Sequence, residues 1–144
     1  FYKDTIEQRV KELGIANKVI FFGNSNEIDK ILCFSDLFLL PSETESFGLA
    51  ALEAMACSVP VISSNTGGLP EVNVDGFSGY LSNVGDIDSM AENAVRILEN
   101  ETNLASFKKN AYTVAERFDI AKILPLYEAI YEKAIQEQFK TESN

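Results

Sequence analysis

Pro41-Ser-Glu-Thr-Glu-Ser-Phe-Gly-Leu-Ala-Ala-Leu-Glu-Ala-Met-Ala-Cys57 is the stretch that decides the fold. The apolar run Leu37-Phe-Leu-Leu40 ends at its first residue, as a buried strand would, and polar residues follow as far as Glu45. Ser46 is placed to cap a helix that begins near Phe47-Gly48 and carries Ala50, Ala51, Leu52, Ala54 and Met55. A buried strand, a short loop and a helix of small residues form the corner at which open α/β sheets bind ligands. The unpaired N–H groups of a first helical turn favour an anion, and Gly48 has no side chain to block its approach. Glu45 falls at the mouth of that helix and Glu53 two turns deeper, so the two carboxylates can reach different parts of one long ligand.

Outward from this corner, strands and helices alternate. Tyr2, Ile6, Val10 and Leu13 share one helical face that stops at Gly14. Val19 to Phe22 reads as a buried strand, Asn24-Ser25-Asn26 as a turn and cap, and Glu27 to Phe34 as a short helix burying Ile28, Ile31 and Leu32. After the central corner come a strand over Val59 to Ser63, a glycine-bearing loop from Asn65 to Pro70, a helical turn at Pro70-Glu71-Val72 and a strand at Tyr80-Leu81. Asp86 or Asp88 caps a helix with Met90 and Ile97 inward. Leu104, Phe107, Ala111 and Val114 define another. A last helix from about Ile120 is disturbed or restarted by Pro125. The alternation predicts an α/β domain: a partial Rossmann-like parallel sheet flanked by helices over residues 1–139, with a disordered tail at 140–144.

Composition narrows the chemistry. The 144 residues contain no His, which removes His bases, Ser-His and Cys-His relays and most zinc sites from this chain. A net charge of −10 argues against nucleic acid and anionic membrane as partners, and no apolar run is long enough for a membrane span. Cys33 and Cys57 each sit in an apolar helical pattern, which predicts buried free thiols in a reducing cytosol rather than a disulfide or metal site. No Lys or Arg occurs between Lys30 and Arg96. A helix N-terminus contributes about half a unit charge, too little for a diphosphate, so further cations must come from elsewhere. The opening Phe-Tyr-Lys, without an initiator Met, suggests a fragment or a processed chain.

Glu45-x7-Glu53 with Ser46-Phe47-Gly48-Leu49 between resembles the E-x7-E signature of retaining GT-B glycosyltransferases. The match extends through Glu53-Ala-Met-Ala-Cys57, Pro60-Val-Ile62, Thr66-Gly-Gly-Leu-Pro-Glu-Val72 and Gly79-Tyr-Leu81, an order similar to family 4. Within that family it most resembles the bacillithiol-pathway enzymes that join N-acetylglucosamine to L-malate. The resemblance covers nearly the whole chain, as the C-terminal part of a donor domain that lacks its first strands and the N-terminal acceptor domain. It implies a nucleotide-sugar donor, UDP-N-acetylglucosamine by the subfamily, with no separate cofactor, no metal and a bacterial, cytoplasmic setting. In it Glu45 is the catalytic-site carboxylate on the sugar hydroxyls, and Phe47, Gly48 and Leu49 offer backbone N–H groups to the distal phosphate. Glu53 takes the ribose hydroxyls, and the base lies near Asn24 and Ser25.

Plainer readings stand beside these. Glu45 alone is an ordinary loop glutamate, Glu53 a solvated helix residue, Asn24-Ser25 a turn, and Gly67-Gly68 a tight loop. The apolar neighbours of Glu53 predict a largely buried helix on which a carboxylate needs partners. The missing strands would leave a gap between the Val19 and Leu37 strands, to be met by a rearranged sheet, an exposed edge or pairing with a second copy. A non-catalytic nucleotide-binding or self-associating module is therefore the alternative to a transferase part. A response-regulator-like domain is weaker, because the early acid pair and the late strand-end Lys are missing.

Overall fold

The computed structural model describes residues 2–142, with side chains through Gln138. In chain order the elements are α1 (Tyr2–Glu12), α2 (Ile28–Cys33), β1 (Phe38–Leu40), α3 (Leu49–Ala56), β2 (Val61–Ser64), α4 (Leu69–Val72), β3 (Gly79–Ser82), α5 (Ile87–Leu98), α6 (Glu101–Ala115) and α7 (Ile120–Glu142). Short 3-10 turns lie at Ala16–Lys18 and Glu116–Phe118. The three strands form one parallel sheet in the order β1-β2-β3, with Phe38 opposite Val61 and Val61 opposite Gly79. The domain is a partial Rossmann-like α/β fold, as the alternation predicts.

The middle strand explains the layers. All four residues of β2 are buried, as expected of a parallel strand covered on both faces. Successive side chains point to opposite faces, so Val61 joins a cluster with Met55, Leu69, Val72, Ala111 and Val114, while Ile62 joins Met90, Ile97 and Phe107. Ala51, Ala54 and Met55 are wholly buried, and the small side chains let α3 lie close to the sheet and to α6. Each large apolar side chain buried in this way contributes about 1.5–3 kcal/mol. Pro60 lacks an N–H, but its carbonyl accepts from the Phe38 N–H at 3.0 Å and extends the ladder beyond β2.

A buried amide ties this sheet to α4. Asn73, fully buried just after α4, donates from Nδ2 to the Val61 carbonyl, Ser63 Oγ and the Tyr80 carbonyl at 3.0–3.2 Å. Its Oδ1 accepts from Ser78 Oγ at 3.0 Å. The shared donors leave no polar atom of this side chain unsatisfied in the core.

Three expectations are corrected. Val19 to Phe22 is not a buried strand. It has no regular secondary structure and is unpaired, with Ile20 76% and Phe22 62% exposed. A strand needs a neighbour, and among the described residues β1 pairs only with β2, so the sheet they form ends at β1. Cys33 and Cys57 are joined in a disulfide, with Cα atoms 4.8 Å apart, rather than held as free thiols. Packing α2 on α3 brings the two helix ends within bridging distance, which the separate helical patterns did not reveal. Helix α7 passes Pro125 without a restart. Its first turn is held by Asp119, whose Oδ1 accepts from the Ala121 N–H at 2.8 Å and whose carbonyl accepts from Ile123.

Caps elsewhere follow the sequence. Asp86 accepts from the Ser89 N–H and Asn100 from the Asn103 N–H, at 3.0 and 3.1 Å. The tail expected at 140–144 lies partly outside the described residues, with α7 continuing to Glu142. Among the described residues no helix is long and apolar enough to cross a membrane.

Candidate functional site

The turn before α3 departs from the expected cap. Ser46 does not cap the helix. The N-cap is Gly48, which makes no side-chain bond, and Leu49 is the first helical residue. Glu45 instead holds the turn that leads into the helix: its Oε1 accepts from the Ser46 N–H at 3.1 Å and the Gly48 N–H at 3.3 Å. A carboxylate oxygen thus occupies the N–H groups of this turn, and the half-buried Glu45 is turned onto its own backbone.

Gly48 is required for reasons beyond open approach. Its φ is +97°, a region L side chains rarely adopt, and a Cβ there would meet Leu69 Cδ2 at 2.9 Å and Val72 Cγ2 at 3.1 Å. The absent side chain therefore makes room for α4. Phe47 sets the other side of the turn, meeting Phe118 edge-on with ring centroids 6.1 Å apart. Leu49 stays 65% exposed.

The loop after β2 acts as the template for this turn. A Cβ on Gly67 would lie 1.5 Å from the Glu45 carbonyl oxygen, and one on Gly68 would lie 2.7 Å from that of Ser46. The Gly68 N–H donates to the Glu45 carbonyl at 3.4 Å, and Thr66 Oγ1 donates to the Glu43 carbonyl at 3.3 Å. The glycine pair therefore receives backbone, from the segment that carries Glu45. The adjacent glycines were the available signal; only the fold shows which chain they face.

Glu53 is exposed rather than buried among partners, because it lies on the face of α3 opposite Ala51 and Ala54. It lines two clefts separated by its own helix. One, of about 410 Å³, includes Ser25, Asn26, Asp29 and Cys57. The other, of about 390 Å³, includes Leu49, Tyr112, Phe118 and Asp119. The structure thus brings Ser25 and Glu53 to one cleft and Leu49 and Glu53 to the other. Asn24 is exposed and lines neither, whereas its neighbour Asn26 does. Ser25 Oγ accepts from the Glu27 N–H at 3.1 Å and shapes the turn before α2. Tyr112, Phe118 and Asp29 were missed in the sequence, where nothing but helix phase marks them. Neither cleft is lined by Lys or Arg among the described residues, in keeping with the long cation-free stretch. No group of three or more His, Cys, Asp or Glu converges among the described residues as metal ligands would.

A parallel sheet with a glutamate-held turn beyond β1, and a carboxylate between two clefts on the following helix, defines an α/β domain of the Rossmann-like class. Residues 2–114 match the family described as glycosyl transferases group 1, and the chain belongs to that family, as part of the C-terminal domain of a GT-B fold. N-acetyl-alpha-D-glucosaminyl L-malate synthase of Bacillus anthracis is 45% identical over 128 residues, covering 88% of this chain and 34% of that protein. D-inositol 3-phosphate glycosyltransferase of Mycolicibacterium smegmatis is 33% identical over 136 residues, covering 93% and 31%. The chain thus spans about a third of the length of these curated relatives. Among solved structures, Anabaena HepE in complex with UDP superposes with a TM-score of 0.84 at 29% identity, covering 91% of this chain and 37% of that one. HepE in complex with UDP and glucose gives 0.82 at 29% identity, covering 91% and 36%.

Proposed function

We propose that the chain is the donor-binding part of a retaining family 4 glycosyltransferase. In this reading the whole protein moves a hexose, N-acetylglucosamine from UDP, to a small hydroxyl acceptor such as L-malate. The observation that carries it is the turn before α3: the Ser46 and Gly48 N–H groups converge on an acidic oxygen, and the helix that this turn opens carries Glu53 on a cleft of about 410 Å³. The name of the B. anthracis relative and the ligand of the HepE structures support the same donor class.

The donor then lies with its base beside the turn at Asn24, Ser25 and Asn26, its ribose on Glu53, and its distal phosphate on the N–H groups of Phe47, Gly48 and Leu49. Glu45 closes the E-x7-E pair. For the phosphate to take the Gly48 N–H, the Glu45 carboxylate must leave it, and the sugar hydroxyls give it new donors. The acceptor hydroxyl attacks the anomeric carbon on the face from which the diphosphate departs. The bond to the diphosphate oxygen breaks, and the hydroxyl proton passes to the departing phosphate. The reaction needs no enzymic nucleophile, no separate cofactor and no resident metal. Stabilisation of the leaving diphosphate supplies most of the rate, from backbone donors here and from cations in an upstream segment. A cytoplasmic setting belongs to the same reading, since nucleotide sugars are made there.

Titration of UDP and UDP-N-acetylglucosamine into the whole protein, with Glu53→Ala beside it, tests the assignment. Loss of hydrogen bonds from two ribose hydroxyls to a charged acceptor predicts a drop in affinity of about ten- to a hundredfold. Equal affinity in the variant would remove Glu53 from the site, and the absence of saturation at millimolar UDP would reject the donor reading. A second reading, self-association, is favoured by the exposed apolar face of α7, where Ile130 is 63% and Tyr131 65% exposed.

A further inference from the structure

We propose that Cys33 and Cys57 form a redox latch that sets the width of the nucleotide cleft. The proposal rests on the donor reading above and adds a control to it. Cys33 is the last residue of α2, and Cys57 directly follows α3. Glu53 lies one turn before Cys57 on the same helix, so the two share a face, and both line the cleft with Ser25, Asn26 and Asp29. The disulfide therefore joins the ribose-side wall of the cleft to the base-side wall at a point on the cleft itself.

The base-side wall has little else to hold it. Helix α2 has six residues, of which only Leu32 is buried, and a helix of that length does not persist on its own hydrogen bonds. The segment before it, Val19 to Phe22, makes no strand pairing. With the bond closed, β1, the Glu45 turn and α3 lie in one loop of sequence separation 24, and the end of α2 is pinned to the end of α3. With it open, Ser25, Asn26 and Asp29 are free to move away from Glu53, and the cleft must be ordered again for each nucleotide bound.

The chemistry is thiol–disulfide exchange with a low-molecular-weight thiol. Cys33 is exposed and Cys57 half-buried, so the external thiolate attacks the Cys33 sulfur. The S–S bond breaks, a mixed disulfide forms at Cys33, and the Cys57 thiolate leaves and takes a proton. A second external thiolate then attacks the mixed disulfide at its own sulfur. Cys33 leaves as a thiol and the two external sulfurs end as a disulfide. Two electrons pass to the protein, and the reverse reaction uses an external disulfide as oxidant.

The test uses the whole protein, oxidised with glutathione disulfide or reduced with dithiothreitol, each checked by free-thiol count. UDP affinity and amide exchange over residues 28–33 are then measured in both states. Reduction is expected to weaken UDP about tenfold through lost preorganisation and to speed exchange across α2. The Cys33→Ser/Cys57→Ser protein should match the reduced state and ignore the oxidant. If that variant does not fold, the dithiothreitol-treated wild-type protein supplies the same comparison. Equal UDP affinity in the two states overturns the latch and leaves the donor reading intact. UDP binding absent from both states rejects the donor reading and the latch with it. A pair that stays oxidised in dithiothreitol while the protein remains folded also overturns the latch.

Discussion

Helices α6 and α7 carry apolar stripes of similar regularity and end differently. Helix α6 buries Phe107, Ala111 and Val114 against α3, α5 and the sheet. Helix α7 buries none of its described side chains, and Leu126, Tyr127, Ile130 and Ile135 are each more than half exposed. The same contrast separates the site corner from the first helix: three of the eight α3 positions, Ala51, Ala54 and Met55, have no exposure, while α1 has no buried residue. An amphipathic pattern states that one face favours removal from water. It does not state that this stretch of chain contains the surface that removes it.

The largest expected effect lies where backbone meets backbone. Gly67→Ala places a Cβ 1.5 Å from the Glu45 carbonyl at a φ of +54°, and neither chain can retreat without displacing the turn. We expect a loss of about 4 kcal/mol in denaturant unfolding, at the upper tail for single substitutions. A Gly67→Ala protein as stable as the parent would show that the two loops are not in contact. Next comes the contrast of core and stripe. Met55→Ala, at a position with no exposure, should cost about 3 kcal/mol, whereas Ile130→Ala should stay within about 0.5 kcal/mol. If Ile130→Ala costs as much as Met55→Ala, and the cost grows with protein concentration, then α7 is covered by another copy of the chain.

What the sequence made legible follows from the same distinction. Features decided by local chemistry were readable. Asp86 and Asn100 cap where polar residues precede apolar periodicity, β2 is marked by Pro60-Val-Ile, and the helical turn at α4 by Pro70. The corner carrying Glu45 and Glu53 was readable as a strand, a loop and a small-residue helix. Features decided by distant partners were not. Val19 to Phe22 has the composition of a strand but no neighbour to pair with. Cys33 and Cys57 look like separate buried thiols until α2 packs on α3. Glu53 was expected among apolar neighbours, yet helix phase puts it on the open face. The two glycines at 67 and 68 were visible, but their partners, Glu45 and Ser46, lie upstream in a different loop.

The smallest effect separates two caps that look alike in sequence. Ser46 and Asn100 each precede a helix and each belong to the preferred capping types. Asn100 accepts a hydrogen bond from the Asn103 N–H, whereas Ser46 makes no cap bond because the Glu45 carboxylate already holds the N–H groups of that turn. Asn100→Ala should therefore cost about 1 kcal/mol. Ser46→Ala, at an exposed position, should change stability by less than about 0.5 kcal/mol. Thermal or denaturant unfolding of both variants reads the difference directly. If Ser46→Ala costs as much as Asn100→Ala, the serine caps α3 after all, and Glu45 is free to face a ligand without first leaving its own backbone.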